Sequence, residues 1–166
     1  MDVLFRRANQ TDLPALLEIY NHYVVHTHIT FDLEPRTLVQ REEWFGHFKP
    51  KGRHQCFVAV ADGAAIGWAS SHRFKDRAAY DTSVETSIYL KPGAGGKGVG
   101  RALYQTLFNA VAKEDIHRAF GGIALPNDAS IALHRSLGFS HVGTYQEVGR
   151  KFGKFWDVAW YQKAMP

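Results

Sequence analysis
The chain has 166 residues, 45% of them hydrophobic and 13% aromatic, with a net charge of +4. That length fits one domain, residues 1–166, with a sizeable core. No apolar run approaches the roughly 20 residues of a membrane span, the N-terminus lacks a signal-peptide layout, and a single cysteine, Cys56, excludes a disulfide framework and fits a reducing cytoplasm.

Val3 to Arg7 reads as a first strand. Thr11-Asp12-Leu13-Pro14 reads as a helix start, with Thr11 as N-cap and Pro14 in the first turn. Leu13, Leu16, Leu17, Tyr20 and Val24 give that helix an apolar stripe. His22 to Phe31 has no clear period. Pro35 to Phe48 reads as a second helix with Leu38, Trp44, Phe45 and Phe48 facing inward, ended by Pro50-Lys51-Gly52.

Gln55 to Ala61 and Ala65 to His72 are two strands joined by Asp62-Gly63, a hairpin signal. Phe74 to Asp81 is a polar loop, and Thr82 to Leu90 a further strand. Ala119 to Leu125 reads as a strand, and Asn127 to Leu137 as a helix ended by Gly138. From His141 to Lys163 the chain alternates weakly, and Gly149 to Gly153 turns it into a final pair of strands. Strands and helices mixed in this order give an α/β or α+β fold.

Between the strand ending at Leu90 and the helix carrying Val99, Leu103, Leu107 and Val111 lies Lys91-Pro92-Gly93-Ala94-Gly95-Gly96-Lys97-Gly98-Val99-Gly100-Arg101. Five glycines thus sit at a strand-to-helix junction. Glycine lets backbone approach a ligand closely. The first N–H groups of the next helix lack intrahelical partners and attract anions, phosphate above all. Lys97 and Arg101 add positive charge. The spacing is neither a Walker A loop nor a dinucleotide-binding fingerprint. The competing reading is a flexible surface turn capped by a helix.

The basic residues are scattered, without a Lys/Arg block interleaved with aromatics, so a basic enzyme with an anionic partner is favoured over a nucleic-acid binder. His22, His26 and His28 lie close in sequence but match neither zinc helix motif, so no metal is expected. Cys56, ahead of Phe57-Val58-Ala59-Val60, reads as a packed core residue rather than a nucleophile.

Gly95-Gly96-Lys97-Gly98-Val99-Gly100 resembles the Gln/Arg-x-x-Gly-x-Gly/Ala signature of the GNAT acetyltransferases, with Gly95 where the signature has Gln or Arg. Further matches run in order along nearly the whole chain. They are Asn21-His22-Tyr23, Thr30-Phe31, Glu34-Pro35, Ala79-Tyr80-Asp81, Glu85 and Tyr89. Leu125-Pro126-Asn127-Asp128, Ser130, His134, Leu137-Gly138-Phe139, Phe152-Gly153 and Trp156-Asp157 follow. The set is similar to the phosphinothricin and methionine sulfoximine N-acetyltransferase branch of GNAT.

The resemblance implies a mixed sheet splayed at its middle and flanked by helices, acetyl-CoA in the cleft, and a homodimer. It implies a pyrophosphate cradle from Gly95, Gly96, Lys97, Gly98, Val99, Gly100 and Arg101. The pantetheine arm would pair with the backbone of Ile88, Tyr89 and Leu90, and Asn127 would contact CoA while also capping its helix. Glu85 matches the family's general base, and His134 stands where this branch carries a histidine near the leaving thiolate. Lys75, Asp76 and Arg77, with Glu85, Thr86 and Ser87, would line the acceptor pocket, where a cation suits a carboxylate or phosphinate.

The implied activity is acetyl transfer to the amine of a small amino acid analogue. Transfer to another amine, such as a protein N-terminus or polyamine, and a non-catalytic acyl-CoA-binding module are the alternatives. The reaction needs a neutral amine, oxyanion stabilisation and a proton for the thiolate.

Overall fold
The structure, a computed structural model, describes residues 2–166. Its centre is a seven-stranded sheet in the order β1-β2-β3-β4-β5-β7-β6. The strands are β1 (Leu4–Arg7), β2 (Cys56–Ala61), β3 (Ala64–Arg73), β4 (Ser83–Leu90), β5 (Arg118–Ala124), β6 (Ser140–Lys151) and β7 (Lys154–Ala164). Every pairing is antiparallel except β4 with β5. Mixed α/β architecture around one mixed sheet is as expected.

Helices cover both faces. Alternation along β2 sends Cys56 and Val58 to one side and Phe57 and Ala59 to the other. Under Cys56 and Val58 lies α1 (Leu13–His26), which buries Leu13, Leu16, Ile19 and Val24. Against Phe57 and Ala59 packs α3 (Val99–Val111), whose four-residue repeat of Val99, Leu103, Leu107 and Val111 is buried throughout. The last helix, α4 (Asp128–Ser136), packs on α3 and β5.

The N-cap ahead of α1 is Asn9 rather than Thr11. Asn9 accepts from the Thr11 N–H, and Asp12 answers the Asn9 N–H at 2.8 Å, opening a 3₁₀ turn that runs into α1. The second helix, α2, is shorter than its pattern suggests, Leu38–Phe45, because Thr37 and Gln40 close a capping box there. Leu38 is exposed, and the residue that α2 buries is Arg41. Its guanidinium lies over Trp44 at 3.6 Å and Trp68 at 4.5 Å from the ring centroids. Period alone assigns an arginine to the solvent face; the two indole rings beside the guanidinium change that assignment.

The feature that builds the site is a divergence. β4 and β5 pair only through Ser83–Arg118, Val84–Ala119 and Glu85–Phe120. Beyond Glu85 the strands separate, while β4 stays paired to β3 up to Leu90 and β5 to β7 up to Ala124. The edges of β4 and β5 that face each other are left without a strand partner over Thr86–Leu90 and Gly121–Ala124.

Candidate active site
The gap between the diverging strands is a cleft of about 480 Å³. Ile88, Tyr89 and Leu90 line one wall, Gly122, Ile123 and Ala124 the other, and Gly95, Gly96, Gly98, Gly100 and Arg101 its mouth. Asn127, Ser130 and His134 of the following turn and α4 close the side. Buried backbone needs hydrogen-bond partners, so an extended, amide-bearing ligand fits between these edges as an added strand.

At the mouth, Gly98 caps α3 in the left-handed conformation, φ 79°, and Gly96 has φ 77°. No side chain caps the helix. The first intrahelical bond to Gly98 comes from the Ala102 N–H at 3.0 Å, so the Val99, Gly100 and Arg101 N–H groups are free for an anion. A Cβ at Gly96 or Gly98 would meet nothing within 4 Å; what matters there is backbone conformation. Gly98→Ala forces an L residue into the left-handed region at about 1–2 kcal/mol. Relief by rotating the amides away should raise the acetyl-CoA KM about tenfold at nearly unchanged kcat. A KM within about twofold of the parent, measured at saturating acceptor, would contradict a loop built on that conformation.

Asn127 caps α4, its side chain accepting from the Ser130 N–H at 3.2 Å, and also borders the cleft. His134 is buried at 3% exposure. Its Nδ1 donates to the Ser130 carbonyl at 2.7 Å, which leaves Nε2 as an acceptor for the Tyr104 hydroxyl at 3.2 Å. Burial holds the imidazole pKa below its ordinary value, so the ring is neutral at pH 7. Tyr104 in turn reaches Thr86 Oγ1 at 3.3 Å, and burial pushes its phenol pKa up. The sequence reading missed Tyr104. It follows Leu103 on the inward face of α3, where an aromatic reads as core.

Alternation along β4 sets Val84 and Thr86 toward α3, and Glu85, Ser87 and Tyr89 toward the opposite face. His134 and Glu85 are therefore on different faces and share no hydrogen bond. Glu85 is half-buried, and burial lifts its carboxyl to about 7. Its Oε2 lies 3.0 Å from Nε2 of His72 on β3.

Glu85 borders two further cavities. One, of about 460 Å³, is lined by Ile29, Phe31, Ser87, Tyr145 and Trp160, and shares Thr86, Ser87 and Tyr89 with the cleft. The other, of about 550 Å³, is lined by Phe74, Lys75, Phe120, Tyr145 and Trp160. Phe74 stacks on Phe120 at 4.4 Å, and the Lys75 ammonium lies 5.2 Å from the Phe74 ring centroid. Lys75 thus shares one cavity with Glu85, while Thr86 and Ser87 border the other. Asp76 and Arg77 are exposed and border neither cavity. Tyr145 and Trp160 come from β6 and β7, 60 or more residues along the chain from Glu85, and nothing local in the sequence marks them.

Residues 5–160 match the acetyltransferase (GNAT) domain family. The chain is 50% identical over 166 residues to a phosphinothricin N-acetyltransferase of Streptomyces coelicolor, covering 99% of this chain and 97% of that protein. It is 33% identical to an L-methionine sulfoximine/L-methionine sulfone acetyltransferase of Pseudomonas paraeruginosa, over 98% and 94% of the two chains. A crystal structure of a phosphinothricin acetyltransferase from Sinorhizobium meliloti in complex with acetyl-CoA superposes with a TM-score of 0.93, at 33% identity, over 99% of this chain and 89% of that one. Divided strands, a glycine-rich helix cap and these likenesses agree: the chain belongs to the GNAT family and is an acetyl-CoA-dependent N-acetyltransferase.

Proposed function
We propose that the protein acetylates the amino group of a small amino acid analogue of the phosphinothricin or methionine sulfoximine type, with Glu85 as general base. The observation that carries this is the position of Glu85. It stands at the last paired rung of β4 and β5, between the cleft and two cavities, one of them bordered by Lys75. The names of the relatives support the same acceptor class.

Bound acetyl-CoA supplies the acyl group and a thiol leaving group. The protein's part is to hold the amine, take its proton and stabilise the developing oxyanion. A carboxyl near pKa 7 is well matched to accept a proton at neutral pH. The amine would sit on the Glu85 side with its acid group toward the Lys75 ammonium. Free N–H groups of the Ile88–Leu90 edge would face the thioester carbonyl. His134 is neutral with an acceptor Nε2, so its role is to orient the Tyr104 hydroxyl, and a proton reaching sulfur from this side passes through Tyr104. Gly95 carries no side chain to add to the cradle, which then rests on backbone N–H groups with Arg101. The exposed apolar side chains Val142, Tyr145, Val148 and Phe155 on β6 and β7 support the expected homodimer.

Thiol release from acetyl-CoA, measured against phosphinothricin, methionine sulfoximine, methionine sulfone, common amino acids, polyamines and short peptides, tests the reading. The first three are expected to give the highest kcat/KM. Turnover confined to peptides or polyamines would refute this acceptor class, and acetyl-CoA binding without turnover would refute the enzyme.

A further inference from the structure
His72 lies near the end of β3, directly opposite Glu85 in the β3–β4 register. Its Nε2 is 3.0 Å from Glu85 Oε2 and 3.5 Å from Ser87 Oγ. Its Nδ1 is buried and has no hydrogen-bond partner. A neutral imidazole carries one N–H. On Nδ1 that hydrogen would be a stranded donor, at a cost of about 1–3 kcal/mol. On Nε2 it meets the carboxylate. The tautomer that fits the site therefore donates from Nε2 to Oε2, and Oε1 is left for the acceptor.

The surroundings keep His72 neutral. Burial depresses it to about 4, and His54 and His47 act in the same direction. The cavity on its other side is lined by Arg36 paired to Asp32, by Arg41 and Glu43 of α2, and by His47. Asp32 is paired to Arg36, and Arg41 and His47 stand against Glu43, so burial decides, and what His72 offers the carboxylate is an N–H rather than a full charge.

We propose that His72 is the positioning residue of the general base: its Nε2–H holds the Glu85 carboxyl in one orientation and favours its ionised form, so that the pair sets the pH at which turnover begins. This rests on the reading of Glu85 as base. Glu85 takes the proton from the acceptor ammonium through Oε1, and His72 keeps its own proton throughout.

The test is the pH dependence of kcat, at saturating substrates, for His72→Leu and His72→Gln. Leucine keeps the apolar bulk and removes the donor, so the carboxyl pKa rises further. The acid limb should move up by about one unit, with kcat at pH 7 down about fivefold and the alkaline plateau largely kept. Glutamine restores an N–H donor and should return the limb to within a few tenths of the parent. Retained acetyl-CoA binding reports correct folding. Should the leucine protein fail to fold, His72→Asn, too short to reach Oε2, is expected to show the same upward shift.

Limbs unmoved in all His72 variants, with any loss uniform across pH, mark a packing role and overturn the proposal. Undiminished kcat in Glu85→Gln would overturn the base assignment instead, so the two failures are separable.

Discussion
Replacing Glu85 with Gln is expected to lower kcat by about 10²- to 10⁴-fold at neutral pH, the usual contribution of a positioned general base. The amide is nearly isosteric, so the β4 backbone and the cleft should persist and the acetyl-CoA KM should change little. The pH dependence carries a further sign. Burial places the Glu85 carboxyl at about 7, above the ordinary carboxylate range. The ionised form is the active one, so kcat in the parent rises with pH through about 7 and levels off above it. In Glu85→Gln that limb should vanish, leaving only the dependence of the amine itself. Steady-state kinetics between about pH 5 and 9 checks both statements. A Gln variant with undiminished kcat and the same acid limb would remove Glu85 from the mechanism.

Trp68→Ala is expected to cost about 3–5 kcal/mol of folding stability, the range for deleting a buried large aromatic. Trp68 is 1% exposed at the centre of the core between the sheet and α1 and α2. It stacks on Tyr89 with ring centroids 5.0 Å apart and meets Trp44 edge-on at 6.2 Å. It is also one of the rings covering the Arg41 guanidinium, whose Nε and Nη2 have no hydrogen-bond partner. Truncation would thus open a cavity and uncover a desolvated charge together. Because Tyr89 belongs to the free edge of β4, acetyl-CoA KM should rise in whatever protein remains folded. Chemical denaturation gives the stability change directly, and a loss under about 1 kcal/mol would show that α2 repacks freely over the gap.

How much was legible in the sequence differs between kinds of feature. The glycine cap of α3 was open to reading because its causes are local: left-handed backbone at Gly96 and Gly98, orphan N–H groups at a helix start, and an apolar four-residue repeat behind them. The hairpin at Asp62-Gly63 was legible for the same reason, and so was the final one, read as a turn over Gly149 to Gly153 and formed at Phe152-Gly153 alone. Glu85 and Asn127 depended on the ordered family pattern, since a lone glutamate on a strand carries no chemical signature.

What only the tertiary structure decided is which distant side chains meet. His72 faces Glu85 because β3 and β4 pair in one register, and a one-residue slip would turn His72 to the other face. Tyr104 meets His134 because α3 and α4 lie side by side against the sheet, with Gly121 so close that a Cβ there would stand 3.0 Å from the imidazole. Arg41 is buried although its helix could present it to water, because two indole rings pack against its guanidinium. Lys75 borders the Glu85 cavity while Asp76 and Arg77 are exposed outside it, a division that loop geometry sets and composition does not. By itself the sequence determined the elements, the loop between β4 and α3 and the family, since local backbone preference and apolar period act over a few residues. The cleft, the paired base and the acceptor cavity come from contacts across tens of residues, where packing of the whole sheet selects the partners.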